Sequence, residues 1–413
     1  MHSAPALLGL VAFVALAWAL SENRRLFPWR TVLAGLALQL ICGWLILCTS
    51  GGAWFFGRLE SAFRRLLGFA NEGVAMVFGP LANQQLLTEQ WGQGNSFIFV
   101  VTITGTIVLV SALSSLLYHY GILQRVVTGM AWVMRRLMRT SGSESLAAAA
   151  NIFMGQTEAP LVIQPYLATM TRSELMALMV GGMATIAGGV MAAYVSFGIS
   201  AGHLLTASFI SAPASLMFAK ILLPETEVSD TADGIGRSIP RTTVNGVDAL
   251  CAGASDGMKL AVNVVAMLIA FVATVALANY LLSLCLGLTG VVNPQPLQAA
   301  LGWLNAPCAW LMGVPWKDCQ IIGAILGERI VLNEFIGYLS LSKAQGLDPR
   351  SVTIATYALC GFANFASIAI QIGGIGALAE GRRGDLAKLG AKAMLGGLLS
   401  CYCTACIASL LVP

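Results

Sequence analysis

Residues 151–160 read Asn-Ile-Phe-Met-Gly-Gln-Thr-Glu-Ala-Pro, set between Leu146-Ala-Ala-Ala-Ala150 and Leu161-Val-Ile163. An Asn, a Gly, a Gln, a Thr, a Glu and a Pro thus interrupt an apolar run. A carboxylate at membrane depth is expensive and marks a functional site by default. Gly and Pro break helices, and broken backbone is tolerated at that depth only inside protein or beside a water-filled cavity. Composition decides whether the surroundings are a membrane. The 413-residue chain has a mean hydropathy of +0.79 and only 10% charged residues, against about 25% in a soluble domain. It reads as an all-α polytopic membrane protein.

A membrane helix needs roughly 20 apolar residues. Such runs cover 5–20, 31–50, 95–118, 173–196, 203–223, 259–286, 350–378 and 386–412, which predicts eight spans. The segments 144–169 and 312–342 are also apolar, but polar residues interrupt each midway. Neither half is long enough to cross, so each segment predicts a re-entrant helical hairpin. Residues 54–82 and 122–139 alternate arginines with Trp, Phe, Leu and Met, the pattern of helices lying in the interface. A third such helix is expected over 245–256. The stretch 224–246 is the one long polar segment and reads as a loop.

Basic residues give the orientation. Arg24, Arg25 and Arg30 follow the first span, and Arg125, Arg135, Arg136 and Arg139 the third. Lys220, Arg237 and Arg241 follow the fifth, and Arg382, Arg383, Lys388 and Lys392 the seventh. With eight spans these loops share one side, cytoplasmic by the positive-inside rule. Both termini then face outward, to the periplasm of a bacterial inner membrane. The outer connection 283–316 carries no Lys or Arg, in agreement. Arg58, Arg64 and Arg65 dissent and require their helix to lie on the outer leaflet. The net charge of +4 is therefore topology and not a nucleic-acid surface. The first apolar run lacks a charged n-region and reads as a span, not a signal peptide. The ten cysteines show no metal spacing, and the three histidines form no ligand cluster.

The two broken hairpins form a repeat of pattern. The first carries Gln156-Thr-Glu158, and the following span is interrupted at Thr185-Ile-Ala-Gly-Gly-Val190. The second carries Leu332-Asn-Glu334, and its following span is interrupted at Cys360-Gly-Phe-Ala-Asn-Phe-Ala-Ser367. Glu158 precedes Gly188 by 30 positions, and Glu334 precedes Asn364 by 30. The span count makes the repeat inverted, an arrangement that marks secondary transporters with a site near the midplane.

The residue types state what such a site could hold. Arg329 beside Glu328 is the one basic residue deep in an apolar stretch, and the two are expected to satisfy each other or nearby backbone. Glu158 and Glu334 are then free to accept bonds from a solute, and a carboxylate can grip two adjacent hydroxyls. Gln156 and Asn364 both donate and accept, which suits a heterocycle edge or a sugar hydroxyl. Phe362 offers an apolar face to a ring. Asn151, the Thr185 hydroxyl and loosened carbonyls near Met154 and Ile186 supply the oxygens that a hard cation wants.

These stretches resemble the concentrative nucleoside transporter family. The resemblance rests on Gly155-Gln-Thr-Glu-Ala-Pro160, Val331-Leu-Asn-Glu-Phe335, Gly361-Phe-Ala-Asn-Phe-Ala-Ser367 and Leu67-Gly-Phe-Ala-Asn-Glu-Gly73. It implies a homotrimer with eight spans, two re-entrant hairpins and three interfacial helices, in which a transport domain moves past a scaffold like an elevator. It further implies that Gln156, Thr157 and Glu158 bind the nucleobase with Val190 against it. Glu334, Asn364 and Ser367 would bind ribose, and Phe362 would lie against the nucleoside. Asn151, the Met154 backbone, Thr185 and the Ile186 backbone match the family's sodium site. Thr185 stands where the family also uses serine, and the Asn at 151 favours sodium over protons.

The expected division is a scaffold part over 1–120, transport repeat one over 121–223, a cytoplasmic linker with an interfacial helix over 224–258, and the sixth span with transport repeat two over 259–413. The expected function is sodium-driven nucleoside import, with proton coupling or a nucleobase or nucleotide substrate as alternatives. An enzyme using Glu158 and Glu334 as an acid–base pair is the remaining class. No metal motif, nucleophile elbow or phosphate loop supports it.

Overall fold

The computed structural model describes residues 3–92, 98–232, 234, 243–287 and 295–412. The first residues of the third apolar run (95–97), Arg237 and Arg241 of the basic loops, His2, and 288–294 of the outer connection lie outside these. The described chain is helical, with no strand among the described residues. Its α-helices are α1 (Ser3–Ala19), α2 (Trp29–Leu47), α3 (Ser50–Phe78), α4 (Gln84–Trp91), α5 (Phe99–His119), α6 (Ile122–Met138), α7 (Gly142–Ala150), α8 (Ala159–Val162), α9 (Arg172–Ala184) and α10 (Gly188–Ser196). They continue with α11 (Ala201–Leu222), α12 (Gly246–Gly287), α13 (Pro296–Leu311), α14 (Trp316–Val331), α15 (Glu334–Lys343), α16 (Pro349–Leu359), α17 (Phe365–Leu378) and α18 (Arg383–Leu411). Each predicted span coincides with a helix or a broken helix pair. Six stretches are long and apolar enough to cross a membrane.

Helix α3 covers most of the first amphipathic stretch and α6 nearly all of the second. Two differences stand out. No separate helix forms over 245–256, because α12 runs unbroken through it. Its internal Gly253 and Gly257 do not end the helix. They let it approach α5, where an added Cβ would meet Ser111 and Ala112 or Val108 at 2.6–2.9 Å. The outer connection holds α13, whose Gly302 lies against the Gln320 carbonyl of α14. Two prolines and a short apolar face made it read as loop. Pro296 sits in its first turn, where proline is at home, and Pro307 lies inside it.

The pattern of two broken units is present in the backbone. Hairpin α7–α8 breaks over Asn151–Glu158, and α14–α15 over Leu332–Asn333. The helix that follows each is also broken, α9 to α10 over Thr185–Ala187 and α16 to α17 over Cys360–Asn364. Capping sets these boundaries. Capping boxes at Ser141/Glu144 and Thr171/Glu174 start α7 and α9. The side chains of Asn333 and Asn364 cap α15 and α17. Each unit is also tied to its next helix in the same way. Ser173, at the start of α9, donates to the Leu223 carbonyl beyond α11 at 2.7 Å. Arg350, at the start of α16, donates to the Ser409 and Val412 carbonyls at the end of α18.

The two breaks touch. A Cβ on Gly361 would lie 2.7 Å from the Met183 carbonyl oxygen and 2.7 Å from Cys401 Sγ. Only glycine allows this approach, since the first obstacle is backbone. Gly361→Ala is therefore expected to cost about 1–3 kcal/mol through overpacking, read as a lower melting temperature of the purified protein. An unchanged melting temperature would refute this packing argument.

Helices α9 and α10 are almost wholly enclosed, whereas α12 buries few of its residues and turns Ile269, Val272, Leu277, Leu281 and Leu284 outward. Exposed apolar surface on this scale belongs against lipid or another chain. Helices α1 and α2 pack on the other side. Gly35 and Gly43 of α2 lie against Met217 of α11 and Leu411 of α18, and Glu22 pairs with Lys392 at 2.9 Å.

Candidate functional site

A cavity of about 460 Å³ opens where the hairpin tips, the broken helices and α12 meet. Its size lies within the usual range for small-molecule sites. Gln156, Thr157, Glu158, Val190, Glu334, Phe362, Asn364 and Ser367 all line it. They are far apart in sequence, and the four breaks bring them together.

Glu334 is buried at the first turn of α15, where the positive end of the helix dipole favours a carboxylate. Tyr194 Oη donates to its Oε1 at 3.0 Å and Asn364 Nδ2 to its Oε2 at 2.9 Å. Each oxygen keeps a further lone pair, so the carboxylate is aimed and only partly used. Asn364 in turn accepts from Ser367 N at 2.9 Å, which fixes the amide orientation.

Gln156 bridges the two repeats. Its Nε2 donates to Ser367 Oγ at 3.1 Å, and its Oε1 accepts from Gln371 Nε2 at 3.2 Å. Gln371 also donates to the Met179 carbonyl at 3.0 Å. Gly182 makes room for this cluster, since a Cβ there would meet Gln371 Nε2 at 2.7 Å. Glu158 closes the turn of hairpin one by accepting from Gly155 N at 3.1 Å. Its carboxylate and Thr157 face the cavity. A smaller cavity of about 170 Å³ adjoins on the far side of Glu158, walled by Ser111, Ser114, Ser115 and Asp256.

Sequence reasoning missed Tyr194, Gln371 and Asn263. Tyr194 is fully buried against Phe335 and Tyr338, so it reads as core aromatic. Gln371 and Asn263 are single polar residues in apolar helices, a signal that was available. Asn263 comes from α12 and lines the cavity opposite the repeats. Arg329 pairs with backbone and not with Glu328. Its Nη1 donates to the Ala358 carbonyl at 3.0 Å, while Glu328 accepts from Ser340 Oγ at 2.6 Å.

Asn151 is buried to 1% exposure, and neither its Oδ1 nor its Nδ2 has a hydrogen-bond partner among the described residues. Leaving a buried amide unpaired costs about 1–3 kcal/mol, so the site is built for something that supplies the missing contact. The amide rests on Gly181, where a Cβ would meet Nδ2 at 2.9 Å. The Thr185 hydroxyl donates to the Gly181 carbonyl at 3.0 Å, leaving its lone pairs free. No backbone N–H donates to the carbonyls of Met154 or Ile186 among the described residues. An amide oxygen, a hydroxyl and loose carbonyls form the donor set of a hard monovalent cation.

Tyr194→Phe removes one donor from Glu334 and leaves the ring packing intact. A hydrogen bond to a charged group contributes about 1.5–3 kcal/mol, so the affinity for the ligand of Glu334 is expected to fall roughly 10-fold or more. A titration of the purified variant checks this, and unchanged affinity would free Glu334 from Tyr194.

Comparison with known proteins adds to this geometry. The profile described as "Na+ dependent nucleoside transporter C-terminus" matches residues 203–409, and that described as "Na+ dependent nucleoside transporter N-terminus" matches 8–81. The profile "Gate: Nucleoside recognition" matches 100–201. An uncharacterized transporter of Bacillus subtilis is 41% identical over 98% of both chains. The nucleoside permease NupC of Helicobacter pylori is 39% identical over 98% of this chain and 96% of its own. The solved structure of CNTnw in an inward-facing substrate-bound state superposes with a TM-score of 0.92 at 38% identity, covering 100% of this chain and 98% of that one. Variants of CNTnw in outward-facing and intermediate states superpose at 0.93 and 0.91.

Proposed function

The chain belongs to the sodium-dependent, concentrative nucleoside transporter family, and from that premise we propose that it imports nucleosides together with sodium. It is a transporter and not an enzyme. The observation that carries the site assignment is the cavity shared by hairpin tips and broken helices, lined by two carboxylates and held open by amides. Glu334, Asn364 and Ser367 bind the ribose hydroxyls. Gln156, Thr157 and Glu158 read the base, with Val190 and Phe362 against its faces. Sodium is held by Asn151 Oδ1, Thr185 Oγ1 and the carbonyls of Met154 and Ile186.

The coupling follows from the covalent closeness of the two sites. Met154 directly precedes Gly155, whose N–H holds Glu158. An ion drawing the Met154 carbonyl therefore sets the turn that presents Glu158 and Gln156. Each ligand then raises the affinity of the other by the same factor.

In this reading α7–α8 and α14–α15 are the re-entrant hairpins of an inverted repeat, within eight spans of a bacterial inner membrane. Both termini face the periplasm. Helices α5 and α12 belong to a scaffold that trimerises through exposed apolar faces such as that of α12. The two repeats move past it as a unit, and α1 and α2 ride on α11 and α18. Asn263 on α12 would then meet the nucleoside only in part of the cycle.

Uptake of radiolabelled uridine into proteoliposomes, with a sodium or a proton gradient imposed separately, tests the proposal. Uridine recovered unchanged inside the vesicles under the sodium gradient supports it. Equal uptake without sodium would defeat the coupling, and competition by a free base but not by ribonucleosides would defeat the ribose assignment.

A further inference from the structure

The two broken helices end alike but are completed differently. Helix α16 ends at Leu359, and its last carbonyls meet the guanidinium of Arg329. Nη1 donates to the Ala358 carbonyl at 3.0 Å and Nη2 to the Gly361 carbonyl at 3.1 Å, with Cys401 Sγ also 3.1 Å away. Arg329 is fully buried and makes no ion pair within 4 Å among the described residues. Its charge is opposed by the negative end of the α16 dipole, a favourable arrangement at any helix C-terminus.

Helix α9 ends at Ala184, the corresponding point of the first repeat. Thr185 and Gly361 are separated by the same 176 positions as Glu158 and Glu334. Here the groups near the helix end are neutral. Gln371 donates to the Met179 carbonyl, Thr185 to the Gly181 carbonyl and Cys401 Sγ, at 3.7 Å, to the Ala184 carbonyl. The side chain standing against the last turn is Asn151, with its amide unpartnered. The two ends also touch, through Gly361 and the Met183 carbonyl. Two negative helix ends therefore meet inside the protein, and one of them has its own cation.

We propose that Arg329 is a tethered counterpart of the transported cation. It permanently completes the α16 end, so that only the α9 end takes an ion from solution. One sodium then accompanies each nucleoside. The inference rests on the reading of the chain as a sodium–nucleoside transporter and adds to it why one helix end is ion-dependent and its counterpart is not. Arg329 acts as a positioning residue. It holds Gly361 and hence Phe362 and Asn364, and it does not touch the nucleoside.

The test uses the full-length protein, first with the wild type. The ratio of ²²Na⁺ to tritiated uridine taken up by proteoliposomes is expected to be one, and a ratio of two overturns the proposal. Arg329→Ala is expected to lower uridine affinity at saturating sodium at least 10-fold. Millimolar guanidinium restores it, whereas urea, a neutral molecule of the same shape, does not. Equal rescue by both, or rescue by neither in a monodisperse variant, overturns the proposal, because a purely structural role would not discriminate by charge. Arg329→Lys keeps the charge and is expected to retain the wild-type sodium midpoint within a few-fold. A large shift in that midpoint counts against the proposal. Should Arg329→Ala fail to fold, the wild-type ratio decides. Absence of any sodium-dependent uridine uptake by the wild type would instead reject the transport reading itself.

Discussion

Glu334→Gln leaves a folded protein that no longer takes up uridine. The side chains have the same shape, so packing at the start of α15 is preserved. What changes is the hydrogen-bond arithmetic. The carboxylate accepts from both Tyr194 and Asn364, and an amide can accept through only one of its two ends. Tyr194 can turn its hydroxyl to accept from the new amide N–H, which keeps the protein satisfied. The amide group then has no second acceptor for a diol, and the charge that strengthened each bond is gone. Two charge-assisted bonds to ribose hydroxyls at about 1.5–3 kcal/mol each amount to a loss of roughly 10²-fold or more in affinity. Tritiated uridine uptake under a sodium gradient measures the effect, with size-exclusion elution and circular dichroism reporting the fold. Wild-type uptake by the variant would remove Glu334 from the site.

The elements that were legible in the sequence are those that violate their surroundings. Asn151–Pro160 and Leu332–Glu334 are polar breaks in apolar runs, and a membrane makes such breaks conspicuous. Their 30-residue spacing to the next interruption made a repeat visible where identity was poor. The residues that were missed obey their surroundings. Tyr194 is an aromatic among aromatics, and nothing but the fold reveals that its hydroxyl meets a carboxylate 140 positions away. Arg329 was conspicuous, but its partner was not. Adjacency suggested Glu328, whereas neighbours at i and i+1 on a helix point in different directions. The carbonyls it needs are freed only when α16 unwinds. Helix boundaries failed for a similar reason. Gly253 and Gly257 look like a stop until α5 is seen packed on them.

Asn151→Ala is expected to bind uridine in sodium chloride as weakly as the wild type does when choline replaces sodium. The Asn151 amide makes no hydrogen bond within the protein, so its removal breaks none. The helical N–H of residue 151 still bonds to the Ala147 carbonyl at 3.0 Å. The substitution therefore subtracts an ion ligand and little else, and it relieves the buried unpaired amide of the ion-free state. If sodium fixes the turn that presents Gln156 and Glu158, losing the ion ligand and losing the ion are the same loss. Couplings of this kind are worth about 1–3 kcal/mol, or roughly 5–150-fold in affinity. Linkage requires the same factor in the other direction. Uridine should tighten sodium binding by the wild type and leave the variant unaffected. Calorimetric titrations of each ligand, with and without the other, close this cycle. A variant that still gains affinity for uridine on adding sodium would move the ion away from Asn151. A wild type whose two factors disagree would mean that more than one ion binds, and the tethered cation at Arg329 would then fail with it.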